Sequence, residues 1–341
     1  MNKTYLFITA LFVLIFMSCQ SRKKNNAEKQ NEIELVAEKQ LVFPLDEQTY
    51  YLSKSMFQFE ENGKEYLHFE NTQKSLYDIV IFDIENQQIA KRIPLHKTGP
   101  NGLPAVYGSR PSPDSKQILI SQNNIGRLST INNQGEVVHN YPVKTPEGRF
   151  TTFFFCSYYN APAFVKDSCI FLNQGIFKPN MKREDWPQTH MFASQNLETG
   201  KFEWVPIFYP PIFKEEYENI DGGYGFSYDY NYKESRLVCG FFGYDSLMVT
   251  DDLKHIRWYN AKSKYLKSMK PKLGNAMAGI NSIIEFCEAP MYWHIMYDKY
   301  RDVYYRFAEM PYKLAPNESP YDEPKGKEFS VIVLNADFEI I

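Results

Sequence analysis

The sequence lacks the short signatures that announce a chemistry. It has no Gly-x-Gly-x-x-Gly opening a helix, no Walker loop, no Gly-x-Ser-x-Gly and no His-Glu-x-x-His. Neither a phosphate cradle, a nucleophile elbow nor a helical zinc pair can be placed on it. Cysteine is scarce, at five in 341 residues, and no Cys-x-x-Cys or Cys/His spacing suggests zinc. The six histidines, His68, His96, His139, His190, His255 and His294, are scattered one at a time. No metal, cofactor or acid-base pair is therefore called for. The formal net charge is −3, without the basic excess that a nucleic-acid partner requires. Long amphipathic helices are absent too.

The one long apolar run lies at the beginning. Lys3 supplies a basic start, and Tyr5 to Met17 is almost uninterruptedly apolar, the length of a secretory core and short for a bilayer span. It ends in Phe16-Met17-Ser18-Cys19, which resembles a bacterial lipobox. That resemblance implies cleavage before Cys19 and a diacylglycerol on its thiol; the alternative is a simple signal peptide followed by an incidental cysteine. Gln20 to Glu32 is polar, with no aromatic or β-branched residue, and cannot bury enough surface to fold. The expected organisation is a lipoprotein signal peptide over 1–18, a flexible tether over 19–32 and a folded domain over 33–341. Gln20 replaces the Asp that retains lipoproteins in the inner membrane, and Arg22, Lys23 and Lys24 replace the acidic run of surface-exported ones. The expected address is the cell envelope, at the outer membrane and facing the periplasm. Disulfides are permitted there, but Cys156, Cys169, Cys239 and Cys287 allow three complete pairings, and buried free thiols are an equal alternative.

What the rest of the chain has in excess is aromatic residues, 16% of the total, which favour the pleated, half-buried surface of strands. A hairpin recurs along it. Tyr77–Asp83 turns into Ile89–Leu95, Leu128–Ile131 into Val137–Val143, and His190–Ala193 into Phe202–Ile207. Leu247–Thr250 then turns into His255–Tyr259, and Phe329–Leu334 into Phe338–Ile341. Asn, Asp and Gly stand at the turns because they accept positive φ and bond nearby backbone. Further strands are expected over Glu65–Phe69, Gln117–Ser121, Ser168–Leu172, Ser235–Phe241 and Val303–Ala308. Four strands repeated about every 50 residues predict an all-β fold, a β-propeller of four-stranded antiparallel blades; a generic β-sandwich is the alternative. Insertions are expected near 178–186, 210–225 and 311–327, and one short helix over Asn260–Lys270.

Two stretches carry a family resemblance. Pro111-Ser112-Pro113-Asp114-Ser115-Lys116-Gln117-Ile118-Leu119-Ile120 resembles the Ser-Pro-Asp-Gly-Lys turn and strand of TolB-like propellers, with Ser115 in place of glycine. Glu65 to Asn71, Ile81 to Ile84, Ile93-Pro94-Leu95 and Gly99-Pro100-Asn101-Gly102 occur in that order. The set looks like a Bacteroidota lipoprotein family catalogued as domain of unknown function 4221. The resemblance covers residues 33 to 341 and implies a six-bladed propeller, with five to seven blades compatible, and it brings no catalytic residues. Such chains continue into another blade where this one stops at Ile341. Either the last blade is incomplete, or a strand at Gln40–Leu45 closes the ring.

Candidate sites follow from exposure rather than motif. Gly99–Gly102 reads as an inter-blade crossover or a ligand loop. Asp114, Asp221, Asp229, Asp245 and Asp251 are expected to serve turns. Phe153 to Tyr159 and Gly223 to Tyr230 crowd rings beside small residues, and Trp186 stands in an insertion. Tyr158, Tyr159, Trp186, Tyr224, Phe226 and Tyr228 are the candidates for binding a glycan, a peptide or an envelope protein; inner strands lining the propeller axis are the competing reading. The expected function is a membrane-anchored periplasmic binding or scaffolding propeller without catalysis. The competing expectations are a glycan-active hydrolase or lyase at the channel, or an envelope sensor of small ligands.

Overall fold

Hairpin follows hairpin until five antiparallel blades are built among the described residues, with one separate two-stranded ribbon. The computed structural model describes residues 36, 40–51, 53, 55–71, 77–112, 114–122, 126–143, 153–155, 157, 158, 161–175, 187–212, 225–266, 280–320 and 326–341. Blade one comprises β1 (Met56–Glu61), β2 (Lys64–Asn71), β3 (Asp78–Asp83) and β4 (Gln88–Pro94). Blade two holds β5 (Gly108–Pro111), β6 (Ile118–Gln122), β7 (Arg127–Ile131) and β8 (Val137–Pro142). Next come β9 (Phe153–Phe155), β10 (Ser157–Tyr158) and β11 (Ala161–Pro162), where β10 and β11 form a two-stranded ribbon. Blade three is β12 (Phe164–Lys166), β13 (Cys169–Gly175), β14 (Phe192–Asn196) and β15 (Phe202–Trp204), with β9 pairing the far end of β13. Blade four is β16 (Phe226–Asn231), β17 (Arg236–Phe241), β18 (Ser246–Thr250) and β19 (Arg257–Asn260). After α1 (Ile280–Glu288), blade five has β20 (Met291–Asp298), β21 (Val303–Glu309) and β22 (Phe329–Leu334).

The blade number is thus five among the described residues, not six. In blade five the fourth strand is represented by one antiparallel bridge, Leu334 to Ile340. Residues 40–45 form no strand. They lie on blade one, where the Val42 amide donates to Gln87 Oε1 at 2.9 Å and the Phe43 ring stands 5.3 Å from Phe82. The expected short helix is absent from the part that is described: Asn260 ends β19 and residues 261–266 are irregular, while 267–270 lie outside the described residues.

Local chemistry explains the turns. At the start of every third-to-fourth-strand turn stands an Asp or Asn whose Oδ1 accepts backbone N–H groups: Asp83, Asn132, Asn196, Asp252 and Asn335. The first-to-second-strand turns each need a positive φ, taken by Asn62, Ser115, Asp167, Ser235 and Asp302. Asn132 and Asn335 repeat one device in blades two and five. Each donates its side-chain amide to the Glu four residues on, at 2.7 Å and 2.9 Å.

The core lies between blades. Ile118 and Ile120 pack with Ile79 and Ile93 of blade one, whereas Leu119 packs with Ile170 and Leu172 of blade three. Leu237 joins Phe192 and Phe164 of blade three, and its neighbour Val238 joins Tyr304 and Ile332 of blade five. Successive side chains serve opposite faces. Both faces are buried, so middle strands such as Ile118–Ile120 read as continuous apolar runs. Contacts between blade five and blade one are of another kind. Gln58 Nε2 donates to the Tyr300 hydroxyl at 3.0 Å, and Lys299 lies 3.4 Å from Glu65.

Candidate functional site: the axial cavity

The first strands of the five blades converge. β1 neighbours β5, and β16 neighbours both β11 and β20. Where they meet is a cavity of about 680 Å³, lined from β1 (Met56, Phe57, Gln58), β5 (Arg110), β11 and β12 (Pro162, Phe164), β16 (Asp229, Tyr230) and β20 (Met296, Tyr297, Asp298). Tyr232, Lys233, Lys299, Tyr300 and Tyr305 complete its wall. Such a volume is typical of a small-molecule site.

Seven of the sixteen lining residues are aromatic. Phe164 is sandwiched flat between Phe171, at 4.7 Å, and Tyr230, at 4.4 Å. The Arg110 guanidinium lies over the Phe57 ring, 5.3 Å from its centroid, within range for a cation–π contact.

Five charged residues line the cavity, and three of them are already answered within the protein. Lys233 pairs with Asp302 at 2.5 Å and Lys299 with Glu65. Asp298 pairs with Arg301 at 2.9 Å and accepts the Tyr300 amide and the Tyr305 hydroxyl. Arg110 and Asp229 differ. Among the described residues Arg110 has no ion pair or hydrogen bond, and its Nε is buried without a partner. Asp229 has no ion pair either; its oxygens accept the amides of Tyr230 and Tyr297, each at 2.8 Å. The second bond caps an N–H on the inner edge of β20. Burial pushes the Asp229 carboxyl above the ordinary range, against the pull of those two amides and of Arg110.

Behind Arg110 sits His68, wholly buried, its Nε2 2.8 Å from Ser109 Oγ. Burial first, and the Arg110 charge second, hold its pKa down at about 3. It is a neutral sheet residue joining blades one and two. His190 bonds the Val205 carbonyl through Nδ1 at 2.7 Å.

The aromatic residues singled out from the sequence fare differently from one another. Phe226 and Tyr228 are 7% and 0% exposed and belong to the core between blades three and four. β16 is an inner strand, and alternate rings on it turn inward into packing, so neither offers a free surface. Tyr158 sits in β10, paired with Ala161. Tyr159, Trp186, Tyr224 and Cys19 lie outside the described residues. Asp229 is not a turn residue but a cavity one, whereas Asp114 does serve its turn, accepting from Ser112 and the Lys116 amide. Asp251 ties Arg236 and Arg257, Asp245 accepts the Tyr292 hydroxyl, and Asp221 lies outside the described residues. Gly99–Gly102 is a crossover turn between β4 and β5, closed by the Gly102 amide on the Gly99 carbonyl at 2.9 Å. Of the cysteines, Cys169, Cys239 and Cys287 are free thiols, and Cys156 lies outside the described residues. Arg110, Phe57 and Tyr297 escaped notice in the sequence. A charge within Gly108-Ser109-Arg110-Pro111, a strand position just before a tight turn, was the available sign.

Residues 32–341 match a family described as a domain of unknown function, DUF4221. A crystal structure of a member of that family from Bacteroides vulgatus ATCC 8482 is 84% identical. The match covers 92% of this chain and 86% of that one with a TM-score of 0.87. A second crystal structure, of a Bacteroides fragilis protein, is 10% identical over 88% of this chain and 73% of that one, at a TM-score of 0.51; it shares the fold alone. No curated protein matches the chain.

Proposed function

The chain belongs to the DUF4221 family, and from that premise we propose that it is a lipid-anchored, non-catalytic binding propeller of the cell envelope. The observation that carries this reading is the axial cavity, ring-walled and closed in by the first strands of the blades. Rigid sheets that present a concave, aromatic pocket with few uncommitted polar groups are suited to holding a ligand. Catalysis by a glycoside hydrolase needs two carboxyl groups free to act across a bond. In the cavity Asp298 is committed to Arg301, Tyr305 and its own turn, which leaves Asp229 without a second carboxylate. Among the described residues, that favours binding over the hydrolase reading. The anchor rests on Phe16 to Cys19, with acylation of the Cys19 thiol and residence at the outer membrane facing the periplasm.

Two experiments test the proposal. Cys19→Ala should move the protein from the membrane to the soluble envelope fraction; unchanged attachment would refute the anchor. The purified lipoprotein should retain an envelope peptide, protein or glycan without altering it. Turnover of any member of a glycan panel would replace the binding reading with the enzymatic one.

A further inference from the structure

We infer that the axial cavity takes a zwitterionic ligand of amino-acid or short-peptide type, with its carboxylate on Arg110 and its ammonium on Asp229. The inference rests on the binding reading above and gives that site its ligand chemistry.

The argument is one of charge left over. Of the five charged residues in the wall, Lys233, Lys299 and Asp298 are neutralised by neighbours. The remaining two, Arg110 and Asp229, have opposite sign, line one space and form no ion pair among the described residues, though the Arg110 charge reaches Asp229 across that space. An unpaired guanidinium in a partly dry site is costly, and a fork of N–H donors is suited to a carboxylate in two-point contact. Asp229 spends one lone pair of each oxygen on the Tyr230 and Tyr297 amides and keeps the others for a donor. A purely anionic ligand would meet Asp229, and a purely cationic one would meet Arg110. A ligand that carries both signs satisfies both.

The walls fit the rest of such a molecule. Phe57 lies beneath the Arg110 guanidinium, and Tyr230, next to Asp229 in the chain, stacks on Phe164 in the same wall. These rings offer an apolar surface to a side chain between the two charged ends. The volume of about 680 Å³ admits a dipeptide as well as a single amino acid.

Isothermal titration of the full-length lipoprotein in detergent tests the inference with five probes. These are L-phenylalanine, the dipeptide Ala-Phe, N-acetyl-Ala-Phe, Ala-Phe amide and the doubly blocked dipeptide. One of the two free probes should bind, and which one does separates an amino-acid site from a peptide site. Each single block should weaken binding about tenfold or more, the worth of one charge-assisted contact. Arg110→Met should bind the free and amidated forms equally yet still discriminate against acetylation. Asp229→Asn should show the reverse. Equal binding of free and doubly blocked peptide would overturn the inference, as would failure of both free probes to bind a protein that melts cooperatively. If either variant fails to fold, the wild-type probe series alone decides. Capture of a glycan or an envelope protein by a chain that ignores all five probes would sink this inference and leave the binding reading standing.

Discussion

The guanidinium carbon of Arg306 lies 3.5 Å from the ring centroid of Tyr292, and the arginine has no exposed surface. It is the largest fully buried side chain among the described residues. Among the described residues no carboxylate forms an ion pair with it, though the Asp245 charge acts on it. Instead Nη1 donates to the carbonyls of Asp245, at 2.5 Å, and Ala261, at 2.8 Å, and Nη2 to those of Tyr244, at 2.5 Å, and Phe241, at 3.4 Å. All four belong to blade four, while Arg306 sits on β21 of blade five. Burial lowers its pKa to about 10, which keeps it cationic at neutral pH. The residue is a clamp between blades.

Arg306→Met should therefore destabilise the fold by about 3 to 5 kcal/mol, since it strands buried carbonyls as well as removing the cation. Arg306→Lys should recover little, because an ammonium cannot span four acceptors in one plane. Urea unfolding midpoints of the two variants decide the matter. A loss below about 1 kcal/mol for the methionine variant would contradict the clamp.

His68 sets an acid limit on stability. Its pKa is about 3 folded, against an ordinary value near 6.5. Between those values the unfolded chain binds a proton that the folded chain refuses, so stability falls as pH drops from 6.5 towards 3. The slope is about 1.4 kcal/mol per pH unit. His294, lowered by burial to about 4, acts in the same direction. His68→Gln keeps a partner for Ser109 and should flatten the acid limb by the His68 share. Parallel curves for wild type and variant between pH 4 and 6 would remove His68 from the account.

Gly135 closes the last turn of blade two at a φ of +82°, and a Cβ there would run into the Pro94 carbonyl oxygen. That oxygen belongs to blade one. Gly135→Ala combines left-handed strain with a backbone clash and should cost about 2 to 3 kcal/mol. Thermal unfolding of the variant at an unchanged midpoint would show that the two blades can part at no cost.

Ser115 holds the position where TolB-like turns carry glycine, and its φ is +56°. Ser115→Gly relieves that strain at the loss of a 3.3 Å bond to the Glu60 carbonyl, and should raise stability by about 0.5 kcal/mol. Phe338 has a φ of +66°, yet Phe338→Gly should act oppositely, because its ring stacks between Tyr259, at 4.6 Å, and Tyr304, at 5.1 Å. A chemical-denaturation series that gave both substitutions the same sign would contradict this division.

The sequence shows the second, third and fourth strands of the blades far better than the first. Runs such as Gln117–Ser121 and Leu247–Thr250 are buried on both faces and bounded by Asx turns, so burial and turn chemistry agree. The first strands break that pattern. Arg110 of β5 and Asp229 and Tyr230 of β16 line the cavity, where charge and ring break the run of apolar layers. The site was hidden for that reason. Blade number follows similarly: the recurring hairpin occurs five times, matching the five sheets, and the expectation of six came from family likeness. Residues 280–288 form a nine-residue helix between blades, too short for periodicity to distinguish from a loop.

Among the described residues, four of the five contacts between neighbouring blades are apolar clusters, and the fifth is made by polar side chains. Lys299 with Glu65 is an exposed pair of small worth, weakened further as ionic strength rises. The strands that supply this latch, around Gln58 and Tyr300, are also the lip of the cavity. The contact between blades that rising ionic strength weakens is therefore the one at the mouth of the cavity.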